Sequence, residues 1–344
     1  MNKQRLKEIL SKFPTIHIAV IGDYFLDRYW KIDPKRDEPS VETGLTAYQV
    51  ADCWCSPGAA GTVVNNLSAL GVGKIDAIGF IGKDGEGSEL TALLDKIGVA
   101  QTHMIETNQR VTPCYTKPLR DGIEMNRFDT KNRTATPPSV EAELISAIQK
   151  VIDSVDALII MDQVSEENCG VLTEKVRDYL IQLGKKLGEK NSKPLIYADS
   201  RERINLYRNM VIKCNERETL EACGLYDGTL PTLDILKQCG LKLAEKTGRA
   251  VFVTMGERGQ LAVDLKNETQ QAKHVPAVLV EGEIDICGAG DASSSAIVAS
   301  LCAGANYEEA ATLGNLASSI TIRKIGQTGT ASPNEILTAF EKYS

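Results

Sequence analysis

The sequence predicts an α/β fold, a mostly parallel sheet with helices on both faces. Three observations predict it. Short apolar runs of strand length alternate with longer segments of helical period. Several of those runs are apolar at nearly every position, as in strands covered on both sides. No linker, low-complexity tract or internal repeat divides the chain, which predicts one domain over residues 1–344.

The elements follow in order. Residues 16–21 read as a buried strand ending at Gly22-Asp23. Residues 62–70 are helical and closed by Gly71, and residues 74–81 form the next strand. A helix over 86–97 places Leu90, Leu93, Leu94 and Ile97 on one face and ends at Gly98. A strand over 157–161 precedes a helix over 169–187. Further strands are expected over 194–198, 210–213 and 250–254. Segments 29–56 and 111–129 break the pattern. Their residues are strand-like, of mixed polarity and without helical period, so a small sheet projecting from the main one is expected.

Composition narrows the function. Hydrophobic residues make up 42% and charged residues 25% of the 344-residue chain, as in an ordinary globular protein. The net charge of -7 argues against a nucleic-acid or anionic-membrane partner. No apolar run has the length of a membrane span, and the start of the chain lacks the core of a signal peptide, which predicts a cytoplasmic protein. The nine cysteines include no CxxC pair, and the three histidines lie far apart. Packed, reduced thiols are expected, with no zinc site and no histidine-based nucleophile system.

Gly288-Ala289-Gly290-Asp291 reads as a tight turn entering an apolar helix. A helix start offers unpaired N–H groups to phosphate, and a carboxylate there can take a proton from an attacking hydroxyl. Four other blocks accompany it. Asp23 and Asp27 follow the first strand, where α/β sheets bind ligands; either a polyol contact or a solvated Asp–Arg loop satisfies them. Pro57-Gly58-Ala59-Ala60-Gly61-Thr62 opens the helix that carries Asn66, permitting close ligand approach or simply tight packing. Asn215-x-x-Glu218 suits a hydrated Mg2+ or a capping box. Thr254-x-Gly256-x-x-Gly259 suits a hairpin turn or a nucleotide lying on backbone. Neither a P-loop nor the G-x-G-x-x-G dinucleotide pattern occurs.

In this order the blocks resemble the PfkB (ribokinase-like) family of carbohydrate kinases over nearly the whole chain. Gly82-x-Asp84-x-x-Gly87-x-x-Leu90 and Asp285-x-x-Gly288 belong to the same pattern. Gly22-Asp23 with Leu26-Asp27-Arg28-Tyr29-Trp30, and the segment from Gly326 to Pro333, look most like the bacterial heptose-7-phosphate kinase branch. The resemblance implies a ribokinase-like three-layer α/β/α domain with a small β lid built from segments 29–56 and 111–129. It implies ATP as donor, Asp291 as base, and an anion hole from the N–H groups of Gly288, Ala289, Gly290 and Asp291. Asn215 and Glu218 would organise Mg2+ largely through water. Thr254, Gly256, Gly259 and Asn315 would line the nucleotide site. Asp27, with Asp23 beside it, would bind a sugar or sugar phosphate near Gly58, Thr62 and Asn66, and an activating K+ would sit at Asp285. The lid would join a homodimer.

Four positions depart from the family form. Ile286 and Cys287 stand where hydroxyl residues are usual, Thr62 stands where an Asn touches the sugar, and Ala59 adds a methyl where the family often has none. Lys117, Arg120 and Arg127 fit either a substrate phosphate or solvated strand charges. Two other readings stay open: a nucleoside-type kinase of the same fold, and a sugar- or nucleotide-binding protein without catalysis.

Overall fold

The computed structural model describes residues 1–189, 193–265, 271–326 and 328–343. Its main sheet has nine strands. From one edge these are Gln271–Val275, Gln260–Asp264, Val251–Thr254, Val211–Asn215, Leu195–Ser200, Ala157–Asp162, His17–Gly22, Lys74–Gly82 and Ala100–Thr107. Every neighbouring pair from Val251–Thr254 to Ala100–Thr107 is parallel. The first two strands run antiparallel. The hairpin between Val251–Thr254 and Gln260–Asp264 turns through Gly256 and Gly259, both at positive φ.

The alternation of strand side chains separates two cores. Ile18 and Val20 enter one core, Ala19 and Ile21 the other. The first core lies under helices Lys3–Lys12, Ala60–Ala69, Gly85–Lys96, Ala289–Cys302, Tyr307–Thr321 and Pro333–Tyr343. The second lies under Pro138–Val151, Glu174–Glu189, Glu216–Cys223 and Leu233–Thr247. The expected three layers are present. Among the described residues no helix is long and apolar enough to cross a membrane, and all nine cysteines are free thiols.

One expected helix starts later than its periodicity suggests. Residues 169–173 form a loop, and the helix begins at Glu174. The Val171 N–H is taken by Asp23 at 2.7 Å, the Gly170 carbonyl by the Thr136 hydroxyl at 2.7 Å, and Asn168 has φ 58°. Those bonds hold the loop against helical dihedrals. The Thr173 hydroxyl then accepts the Val176 N–H and caps the helix.

A second sheet of five strands grows from the first. Strand Tyr24–Ile32 continues almost directly from His17–Gly22. It pairs parallel with Cys114–Arg120 and antiparallel with Val50–Ala59; Phe128–Thr130 and Ile123–Glu124 add to Cys114–Arg120. Asp27 stands opposite Ser56 on one side and Tyr115 on the other. Residues 25, 27 and 29 therefore share a face with 54, 56, 115 and 117. Arg28 faces the other way and pairs with Glu86 and Glu89 at 3.1 and 2.9 Å.

Candidate active site

The turn before helix Ala289–Cys302 is the centre of the site. Gly288 caps the helix in the left-handed region at φ 76°. A Cβ there would stand 2.5 Å from Thr328 Cγ2 and 3.4 Å from Thr62 Cγ2, so conformation and space both require glycine. Asp291 falls in the first helical turn. Of the four N–H groups expected to cradle an anion, that of Ala289 is already given to the Ile286 carbonyl at 3.2 Å. Those of Gly290 and Asp291 lie in the first turn, where a helix supplies no carbonyl partner.

Asp291 is partly buried, and its proton affinity is raised from 3.8 to about 7. Burial is the main cause; Asp199 adds to it, Lys213 and Arg201 oppose it, and Asp27 raises it further. Beneath the turn lies a buried network. Lys213 Nζ donates to Asp199 Oδ2 at 2.5 Å, and Ser294 Oγ donates to the same oxygen at 3.0 Å. Tyr197 donates to Ser294 at 3.1 Å. Lys213 Nζ would be 3.3 Å from a Cβ on Gly290, so the ammonium packs directly under the glycine turn.

Asn215 and Glu218 form a reciprocal capping box on helix Glu216–Cys223. Asn215 Oδ1 accepts the Glu218 N–H at 2.8 Å, and Glu218 Oε2 accepts the Asn215 N–H at 2.7 Å. Glu218 is nonetheless raised from 4.5 to about 7, by burial first and Asp199 second, with Lys213 opposing. Asp291 and Glu218 thus share the Lys213–Asp199 pair as neighbour. Glu218 Oε1 is left outside the box. Among the described residues no group of three or more His, Cys, Asp or Glu could enclose a metal ion; a hydrated Mg2+ would need only an oxygen such as Glu218 Oε1, with water and phosphate completing its shell.

The second sheet supplies the other wall. Lys117 Nζ is 3.3 Å from Asp27 Oδ1 and donates to the Tyr29 hydroxyl at 3.3 Å. Burial pulls the ammonium down, but Asp27 and Tyr29 outweigh it and leave Lys117 raised. Tyr29 stacks on Trp54 with ring centroids 5.3 Å apart. A Cβ at Gly58 would stand 2.8 Å from Asp27 Oδ2, so that glycine makes room for the carboxylate. Ala59 carries φ 54° and ψ -117°, a conformation that favours glycine. Thr62 is buried and its hydroxyl donates to the Pro57 carbonyl at 3.3 Å.

On the opposite side, Asn315 lines a cavity of about 1000 Å³ with residues Val275 to Leu279. Its amide donates to the carbonyls of Val275 and Pro276 at 3.1 and 2.9 Å. Gly259 sits against the same segment: a Cβ would be 2.1 Å from the Val275 carbonyl. Thr254 pairs with Asn215 across the sheet, and its hydroxyl donates to the Cys214 carbonyl at 3.4 Å. Ser318, one turn beyond Asn315, donates to the Ala289 carbonyl at 2.9 Å and ties this side to the glycine turn.

Several expected residues stand apart. Asp23 is buried away from solvent, and its carboxylate accepts the N–H groups of Val171 and Gln163 at 2.7 and 3.3 Å. It rivets that loop: burial, helped by the Asp162 charge, lifts it to about 7 even though the backbone N–H groups pull it down. Asn66 is buried, and its amide donates within its own helix to the Thr62 carbonyl at 2.9 Å. Asp285 holds the turn, accepting N–H groups of Cys287 and Gly326 at 3.0 and 3.1 Å. Arg120 and Arg127 pair with Asp37 and Asp129. Asp199, Lys213 and Arg201 are additions to the site. A lysine inside the apolar strand Val211–Asn215 and an aspartate near the end of Leu195–Ser200 were the available signals.

The chain is 29% identical over 312 residues to the bifunctional protein HldE of Bradyrhizobium diazoefficiens, covering 90% of this chain and 60% of that protein. It is 27% identical over 341 residues to the bifunctional protein HldE of Geotalea uraniireducens, covering 98% of this chain and 65% of the relative. The chain therefore spans about three fifths of the length of these relatives. In fold it is similar to Escherichia coli phosphofructokinase-2 in complex with potassium, with TM-score 0.73, 19% identity, and 95% and 99% of the two chains covered. It is also similar to Arabidopsis thaliana ribokinase complexed with ribose and ATP, with TM-score 0.67, 16% identity, and 95% and 99% covered. The model of the pfkB family carbohydrate kinases matches residues 17–335. With the family pattern running through both walls of the site and the ribokinase-like sheet beneath it, the chain belongs to the pfkB family of carbohydrate kinases and is a phosphotransferase.

Proposed function

We propose that this chain transfers the γ-phosphate of ATP to a hydroxyl of a sugar or sugar phosphate, with Asp291 as the general base. One observation carries the reading. A carboxylate with its proton affinity raised to about 7 stands in the first turn of a glycine-capped helix. Such a group is poised to accept a proton near neutral pH while adjacent N–H groups meet negative charge. ATP would lie along the cavity lined by Asn315, over Thr254, Gly256 and Gly259. Asn215 and Glu218 would hold Mg2+ through water, and the metal would neutralise phosphate charge. A K+ at Asp285 would share oxygens already bonded to Cys287 and Gly326.

The acceptor would lie against Asp27 and Lys117, with the second sheet closing over it as a lid that belongs to the same domain. Gly58 serves the site by leaving space for Asp27. The block from Leu26 to Trp30 and the likeness to HldE proteins support a heptose 7-phosphate as acceptor. The same sheet exposes Ile123 and Phe128, and the segment between its strands Tyr24–Ile32 and Val50–Ala59 exposes Val41 and Leu45, with Val41 97% and Ile123 73% accessible. A second copy covering them would give a homodimer through the lid. A cytoplasmic setting, where ATP is available, goes with this reading.

ADP release over a panel of free sugars, phosphorylated sugars and nucleosides tests it. Turnover with a sugar or sugar phosphate is expected, fastest with heptose 7-phosphate. Turnover confined to purine nucleosides, or sugar and ATP binding without ADP release, overturns it.

A further inference from the structure

We infer that Arg201 is a further catalytic residue, the free cation that meets the phosphoryl group as it is transferred. The inference rests on the kinase reading above. Charge accounting points to it. Lys213 is bound to Asp199, Lys117 to Asp27, Arg203 to Asp162 and Arg127 to Asp129. Among the described residues Asp291 and Glu218 form no ion pair, and the positive charges they feel are those of Lys213 and Arg201. Arg201 is exposed, and among the described residues its guanidinium holds no hydrogen bond or ion pair.

Its root is fixed while its head is free. The Arg201 N–H donates to the Asp162 carbonyl at 3.1 Å, directly after strand Leu195–Ser200 and two residues beyond Asp199. The side chain borders two small cavities of about 40 and 80 Å³. One it shares with Tyr115 of the second sheet, the other with Glu218. It lies within electrostatic reach of Asp291, Glu218 and Tyr115 together. It therefore borders Tyr115 of the acceptor sheet and Glu218 of the proposed metal pair, with the base within reach of its charge.

That is where charge develops. In the transfer, Asp291 takes the hydroxyl proton and the acceptor oxygen bonds to the γ-phosphorus. The bond from that phosphorus to the β–γ bridging oxygen breaks, and ADP leaves with the electron pair. Arg201 makes and breaks no covalent bond. Its planar fork of donors matches the equatorial oxygens of the phosphoryl group. With no partner to release, it moves to them without breaking a contact.

Arg201→Met tests the assignment beside Arg201→Lys. The Met variant should keep the wild-type melting temperature and lose about 10²–10³-fold in kcat, with little change in either KM. Added guanidinium should restore part of the rate, and the Lys variant should lie between. A readout independent of turnover is the binding of ADP with aluminium fluoride, a mimic of the phosphoryl group in flight. The Met variant should lose the extra affinity that aluminium fluoride confers while binding ADP alone normally. Unchanged kcat, or a loss confined to acceptor KM, overturns the inference; the latter would make Arg201 an acceptor-binding group. If wild-type protein turns over and Arg201→Met matches it, only this inference falls. If wild-type protein releases no ADP with any acceptor, the kinase reading falls and takes this inference with it.

Discussion

The two walls of the site are built differently. The Asp291 wall rests on a buried network of Tyr197, Ser294, Asp199 and Lys213 beneath a glycine turn. The Asp27 wall is a small sheet whose side chains stack and pair near the surface, and which exposes apolar residues on its outer parts. Under the proposed function the difference is a division of labour. A base must be held rigidly and kept dry to have a shifted proton affinity. A recognition surface gains from being able to open and close.

Breaking the base should have the largest effect. Asp291→Asn should lower kcat by about 10²–10⁴-fold and leave ATP binding intact, measured by ADP release and calorimetry. In the wild type, kcat/KM should fall as pH drops below about 7, because Asp291 must be unprotonated to act. Stability carries the opposite sign. The folded carboxyl is raised from 3.8 to about 7, so its favourable contribution is present at low pH and is lost as pH rises through about 7. The Asn variant should therefore gain melting temperature relative to wild type above that pH.

Breaking the support beneath the base comes next. Lys213→Met leaves Asp199 buried without its cation and should cost about 3–5 kcal/mol in urea unfolding. A loss no larger than that of an exposed pair would show that the network is not what fixes this wall. On the other wall, Lys117→Met should raise the acceptor KM by about tenfold with little change in kcat or stability. A fall in kcat equal to that of Asp291→Asn would erase the distinction between the walls.

The smallest effect sits at their junction. Ala59 holds φ 54° with a methyl group between Asp27's glycine and the helix start. Ala59→Gly should stabilise the protein by about 1 kcal/mol in the same unfolding measurement. A destabilised variant would mean that the strain is not in the backbone at that residue.

Much of the fold was legible because strand and helix periodicity are local. The alternation that sends Ile18 and Ala19 to different cores is visible in a few residues of sequence. The glycine turn before Asp291 was legible for the same reason: Gly288 needs a positive φ and Asp291 needs a first turn, and both are properties of a short segment. The loop tie made by Asp23 was not legible because its partners, Val171 and Gln163, are distant in sequence. The helix expected from residue 169 was misjudged through the same bonds, seen from the other end.

The sequence by itself determined the layered architecture, the capped turn and the carboxylate it carries, because backbone conformation and hydrophobic period are written in neighbouring residues. Tertiary structure alone decided which charges meet. Lys213 finds Asp199 on the next strand, Lys117 finds Asp27 across the second sheet, and among the described residues the Arg201 guanidinium finds no hydrogen bond or ion pair. A charge's strength depends on what stands within a few ångströms and how much water is excluded, and only the folded chain sets those distances.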